Sequence, residues 1–261
     1  MRRWIALALL CTGLQVEAAE PWAWPGGAKA AVSLAYDDAL ASQLDTAIPA
    51  LDKAGLRASF YLILSSETLR SRMADWRAVA ARGHELGNHS LFHQCSRQAP
   101  DRGWVSADND LDHTSASQMA AQVRVGNTLL QAIDGRSERT FTAPCGESLA
   151  GGQDYLALLK SDFVAIKAGF GGVVADMRGL DPHRVAFVAP AGASGAELIA
   201  LVQQAAQAGT MINITFHGIG AEHLSVSAQA HAELLAYLAA HREIYWTDSF
   251  INIMNYVRGR H

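Results

Sequence analysis

Residues 31–38 read Ala-Val-Ser-Leu-Ala-Tyr-Asp-Asp, an apolar strand-like run that ends abruptly in two adjacent carboxylates, Asp37 and Asp38. Two acids at the tip of a buried strand repel each other, and both are costly to desolvate unless something positive neutralises them. Residues 83–93 supply the complement, reading Gly-His-Glu-Leu-Gly-Asn-His-Ser-Leu-Phe-His. His89 and His93 stand four residues apart. On a helical turn that spacing puts both rings on one face, close enough to grip a single divalent metal. A metal is also the charge that the carboxylate pair lacks, so the two stretches point to one site.

Outward from these stretches, strand-like and helix-like runs alternate. Strands are expected at residues 30–36, 57–64, 84–88, 140–143, 163–167, 185–188, 211–216 and 244–247. Helices are expected at 41–54, 67–82, 115–133, 154–160, 196–208, 227–240 and 249–257. In the first helix Leu44, Ile48 and Leu51 fall at helical spacing and Gly55 is the stop. Such alternation argues for βαβ units and a parallel sheet closed into an α/β barrel. The polar signals fall where strands end: Asp37 and Asp38, His89 and His93, residues 144–146 (Pro-Cys-Gly), and His217. Barrels of this kind build their active sites at the carboxyl ends of the strands, so these four stretches are expected to converge. For His217, a satisfied core histidine at a strand end is the alternative.

Composition sets the bounds. Half of the 261 residues are hydrophobic and 18% are charged, enough apolar surface for a sizeable core. The net charge is −4 and no basic stripe appears, which argues against a nucleic-acid partner. Residues 1–19 have a signal peptide's layout: Arg2 and Arg3, an apolar run over 4–14, and small residues near 18–19. The run is too short for stable membrane insertion. Cleavage would leave residues 20–261 as one secreted or periplasmic domain. The mature chain keeps two cysteines, Cys95 and Cys145, in a compartment that permits a disulfide. They either bridge the His93 loop to the 144–146 loop or remain two buried thiols.

Residues 94–113 form a long polar loop directly after the second motif, where substrate contacts are often built. Trp104 within it is either a platform for a sugar ring or a plug that packs the loop down. Trp22 and Trp24 are expected to pack. Met119, Met177, Met211 and Met254 are expected in the core. His113, His183, His223, His231, His241 and His261 are expected mostly at the surface, with His223 closest to the site because it follows the Gly218–Gly220 turn. His84 is expected to pack or hydrogen-bond within the second motif.

The order Tyr-Asp-Asp (36–38), Asn-His-Ser-x-x-His (88–93), Pro-x-Gly (144–146) and an apolar strand ending in His217 resembles the polysaccharide deacetylases, the NodB-homology group of carbohydrate esterases. That resemblance implies a distorted (β/α) barrel of about seven parallel strands that removes acetyl groups from sugars with one divalent metal, usually zinc, sometimes cobalt. It implies Asp38, His89 and His93 as ligands, Asp37 as the base toward metal-bound water, the backbone N–H of Cys145 as oxyanion donor and His217 as the acid. Departures from the family pattern are plain. Thr142 stands where the family has an Arg that orients the base, which leaves Lys167 as a substitute from a neighbouring strand. The family's Asp-x-x-Asp-Trp is not recognisable, leaving Asp248, Asp176 or Asp181 to partner His217. The resemblance leaves two readings: a deacetylase acting on O- or N-acetylated poly- or oligosaccharide, or a catalytically impaired carbohydrate-binding relative that retains the metal site.

Overall fold

The structure, a computed structural model, describes residues 22–260; the expected signal peptide lies outside the described residues. Eight parallel strands form one sheet: β1 (Ala30–Asp37), β2 (Ser59–Leu62), β3 (Glu85–Asn88), β4 (Thr140–Thr142), β5 (Ala165–Phe170), β6 (Val185–Phe187), β7 (Met211–Phe216) and β8 (Tyr245–Asp248). β1 to β7 follow one another around the barrel, and β7 returns to β1. The β6–β7 seam is thin, a single bridge between Val188 and Ile214. β8 pairs only with the first half of β1, Ala30–Ser33 opposite Tyr245–Asp248. The result is a distorted, nearly closed (β/α) barrel.

β1 is buried on both faces, as its continuous apolar run requires. Its alternate residues Val32, Leu34 and Tyr36 pack outward against α1 (Ile48–Ala54), α5 (Gly195–Ala208) and α6 (Ala228–Ala240). Ala31, Ser33 and Ala35 face the interior, small enough to leave room there. Asp37 continues this inward set, so strand periodicity alone aims it into the barrel. Gly87 in β3 has a comparable steric reason: a Cβ there would lie 2.4 Å from the Tyr61 ring that fills the lumen. Helix α7 (Phe250–Arg258) crosses the amino-terminal end of the barrel, and with Trp24 it closes that end with apolar side chains. The cavity therefore opens at the carboxyl end.

Three expected elements differ. The first helix begins with a π-helical turn at Gln43–Ala47 before α1. That turn aims buried Gln43 at the strand tips, where its Nε2 donates to the carbonyls of Asp37 (2.5 Å) and His217 (3.2 Å). The expected helix at 67–82 is two, α2 (Glu67–Ser71) and α3 (Met73–Ala81). They are broken at Arg72, whose backbone leaves the helical region and whose guanidinium holds Asp45 and Asp75. The expected helix at 154–160 is a pair of short 3₁₀ turns, because Asp154 Oδ1 takes the backbone N–H groups of Leu156 and Ala157. Helix α4 (Ala116–Asp134) is capped at its N-terminus by a reciprocal capping box between Ser115 and Gln118. The four methionines are buried, and Trp24 stacks with Tyr256. His231 departs from its expected surface place: it is fully buried, with Nε2 2.6 Å from the Tyr36 hydroxyl. His84 is buried too, and its Nε2 bonds Asp52 of α1 at 3.2 Å rather than a group in its own motif.

Candidate active site

The carboxyl ends of the strands surround a cavity of about 730 Å³ whose walls include Asp37, Asp38, His89, His93, Trp104, Cys145 and His217. His89 and His93 meet there by a route other than a helical turn. Residues 89–93 form a loop, with Ser90 and His93 at φ 66° and 51°. Side chains hold its shape in place of helical hydrogen bonds: Asn88 Oδ1 accepts from Ser90 N (2.7 Å), and Ser90 Oγ accepts from His93 N (3.0 Å). Asn88 is itself anchored to Val123 O and Asn127 on α4. Asp38, at φ 81°, turns the chain out of β1 at the strand tip. Left-handed backbone at non-glycine residues stores strain, and here it falls on two of the three candidate ligands.

Asp38 Oδ1 lies 3.3 Å from His89 Nε2 and 3.5 Å from His93 Nε2, and one ligand atom from each residue fits within 4.8 Å of the others. That Oδ1 is buried without a hydrogen-bond partner, and so is Oδ1 of Asp37. His89 Nδ1 faces the carbonyl of Thr142 at 2.7 Å. A carbonyl can only accept, so Nδ1 carries the proton and Nε2 presents its lone pair to the cluster. Two imidazole nitrogens and a carboxylate oxygen suit a catalytic zinc-type site with open positions. The donor set thus fits a divalent ion.

Burial works to raise the Asp38 carboxyl, but the hydrogen bond with His223 and the imidazoles of His89 and His93 beside it outweigh it and hold it well below the usual range. His93 is pushed down to about 4, by burial first and then by the neighbouring His89 imidazole. His217 is also lowered, by burial, although the charges of Asp38 and Asp37 oppose it. The second loop is joined to the first: Cys95 and Cys145 form a disulfide, so the His93 loop and the Pro144–Gly146 turn are covalently tied. Cys145 sits at φ 57° on the cavity wall.

A family model described as polysaccharide deacetylase matches residues 26–161, just over half of the chain. The chain belongs to the polysaccharide deacetylase family. No curated protein matches it in sequence. Solved structures share the fold at low identity. A presumed polysaccharide deacetylase from Mycobacterium smegmatis is 15% identical, with a TM-score of 0.63 over 94% of this chain and 96% of that one. A CE4 family pseudoenzyme from Bacillus anthracis is 14% identical, with a TM-score of 0.54 over 86% and 65%. A family 4 acetyl xylan esterase from Clostridium thermocellum, in complex with cobalt, is 18% identical, with a TM-score of 0.53 over 87% and 91%.

This polysaccharide deacetylase family member handles the two departures from the pattern differently. Lys167 does enter the barrel: it is fully buried, donates to Thr215 Oγ1 at 3.2 Å and lies 4.0 Å from the centre of the Tyr61 ring. Burial lowers its amine to about 8, against the opposing charges of Asp37 and then Glu85. Its contacts are the Thr215 hydroxyl and the Tyr61 ring, and among the described residues it forms no ion pair, so Lys167 and Asp37 meet through their charges rather than in contact. None of the three expected substitutes, Asp248, Asp176 and Asp181, partners His217. Asp248 accepts from Ser249 N and Asn252 at the start of α7, while Asp176 and Asp181 accept backbone N–H groups of their own turns. The carboxylates that face His217 are Asp37 and Asp38, the nearer being Asp38 Oδ2 at 3.9 Å.

Trp104 is 60% exposed on the cavity rim, beneath the Arg102 guanidinium. Arg102 is occupied within the protein, donating to Cys145 Sγ (2.6 Å) and lying 3.5 Å from Glu147. Two lining residues outside the expected site stand out. One is Phe170, 65% exposed on the cavity wall, which a strand-end position alone does not distinguish from packing. The other is His223, whose signal is its place in the turn after His217.

Proposed function

We propose that the protein is an exported, metal-dependent carbohydrate deacetylase that hydrolyses O- or N-linked acetyl groups from a poly- or oligosaccharide. One observation carries the reading: a buried, unpartnered carboxylate oxygen of Asp38 facing two imidazole Nε2 atoms on the cavity floor, beside a second buried carboxylate. In this reading Asp38, His89 and His93 hold one divalent ion, zinc by the character of the donors and cobalt as the alternative. When bound, such an ion supplies the positive charge that activates water and offsets the charge of the tetrahedral oxyanion. Asp37, with Oδ1 free of other partners, takes the proton of the attacking water. The Cys145 N–H, on the cavity wall, donates to the oxyanion. His217, in its protonated form, gives a proton to the departing alkoxide or amine. Trp104 offers a ring face to a sugar.

Export is supported by the composition of residues 1–19; among the described residues, no helix is long and apolar enough to cross a membrane. The second reading, a metal-binding relative with impaired turnover, is favoured by Thr142 in place of the Arg and by the lack of a dedicated acid partner for His217. Acetate release separates the two. The zinc-loaded protein is assayed on acetylated xylan, a simple acetyl ester, chitooligosaccharides and an N-acetylated bacterial glycan. Release that disappears in Asp37→Asn and after chelation supports the hydrolase. Metal bound at one per chain with no release supports the binding relative, and failure to bind metal overturns both.

A further inference from the structure

Asp38 has two oxygens, and the candidate ligands use only one. Oδ1 faces His89 and His93, whereas Oδ2 lies 2.7 Å from Nε2 of His223. We propose that His223 is a positioning residue of the metal site, holding the Asp38 carboxylate so that Oδ1 stays turned toward His89 and His93. The inference rests on the reading of Asp38, His89 and His93 as metal ligands.

Hydrogen-bond chemistry separates this role from direct ligation. An ionised carboxylate can only accept, so the hydrogen of the 2.7 Å contact sits on His223 Nε2, which leaves that atom no lone pair for a metal. His223 also stands apart from the compact ligand cluster of Asp38, His89 and His93. A carboxylate ligand with a free second oxygen can rotate about its Cβ–Cγ bond; a donor on that oxygen removes the freedom. Partners of this kind typically contribute about 10–100-fold in metal affinity.

The segment that carries His223 is built for it. Residues on both sides, Glu222 and Leu224, have φ of 63° and 46°, a conformation that side chains other than glycine's adopt only when surroundings impose it. Ser42 imposes it: its N donates to Glu222 Oε1 (3.2 Å), its Oγ donates to the other carboxylate oxygen, and that Oγ also accepts from Ile219 N (3.0 Å). Backbone bonds from Gly218 N to His223 O and from Val226 N to Gly218 O close the turn. Gly218 is required by space, since a Cβ there would lie 1.8 Å from the carbonyl of Ala221. This turn leads out of β7, directly after His217, so one tethered segment presents both histidines to the Asp38 carboxylate.

The test measures zinc affinity by competition with a chromogenic chelator for the wild type, His223→Ala and His223→Gln, with thermal unfolding of each metal-free protein alongside. Gln places an amide N–H near the position of Nε2. The expected result is about a 10–100-fold loss of affinity in His223→Ala and substantial recovery in His223→Gln, with each metal-free protein still unfolding in one cooperative transition. The visible spectrum of the cobalt-loaded forms should keep its shape throughout, because the ligand set is the same. Equal affinity in wild type and His223→Ala, with the wild type binding one zinc, would overturn the positioning role alone. A reshaped cobalt spectrum in His223→Ala would also overturn it, in favour of direct ligation. Absence of zinc binding by the wild type would overturn the metal reading beneath it.

Discussion

Two buried carboxylate groups occupy the same barrel at opposite ends, and their partners differ. At the amino end Glu85 accepts from Ser59 Oγ (2.6 Å), from Thr140 Oγ1 and from Ile251 N (3.0 Å), which anchors the first turn of α7. At the carboxyl end Asp37 and Asp38 are nearly as buried, yet each keeps an Oδ1 without a partner. A desolvated anion without hydrogen bonds is costly, so an unpartnered one persists where something else completes it. Glu85 is a structural acid completed by the fold. Asp37 and Asp38 form the half of the barrel that the fold leaves incomplete.

The two ends differ most in activity. Asp37→Asn is expected to lower acetate release about 10²–10⁴-fold, the usual scale for a lost general base, with little change in metal-free melting temperature. Glu85→Ala should do the reverse: it strands two hydroxyls and the α7 N-terminus, costing about 3–4 kcal/mol of stability by denaturant titration, and metal affinity should follow only as the fold is lost. A Glu85 variant with wild-type stability would remove the distinction between the two ends.

A third buried group sharpens the comparison through pH. Burial lowers His231 to about 4 in the folded protein, against an ordinary histidine value near 6.5. The unfolded chain then binds the extra proton between those values. The stability contributed by neutral His231 is complete above about pH 6.5 and is lost as pH falls toward 4, by about 3 kcal/mol at most. Melting temperature followed across that window should fall less steeply in His231→Gln; parallel curves would refute it. The smallest effect belongs to the open rim. Trp104→Ala is expected to raise KM several-fold, about 1 kcal/mol, leaving kcat nearly unchanged; a change confined to kcat would mean that Trp104 acts through the His93 loop rather than on a sugar.

Much of this was legible in the chain. The continuous apolar run of β1 and the Gly55 stop of α1 are local signals: the run is apolar throughout because both faces of the strand are covered, and the glycine takes the left-handed turn that ends the helix. The break at Arg72 was not legible, because its partner Asp45 lies outside the helix it interrupts. Nor was the buried place of His231, which depends on the Tyr36 hydroxyl 195 residues away.

The chain's local patterns carry the alternation that makes a parallel barrel, the placing of Asp37 and Asp38 at a strand tip, and the residue types able to hold a metal. Periodicity and chemical type are properties of short stretches, so they can be read without coordinates. Only the tertiary structure decided that Asp38 has one oxygen unpartnered and the other held by His223, that Lys167 acts on Asp37 without touching it, and that the His89 and His93 rings meet through a strained loop rather than a helical turn. The first two depend on groups far apart in the chain and the loop on Asn88 being anchored to α4, and hydrogen bonding, burial and charge at such distances are set by packing.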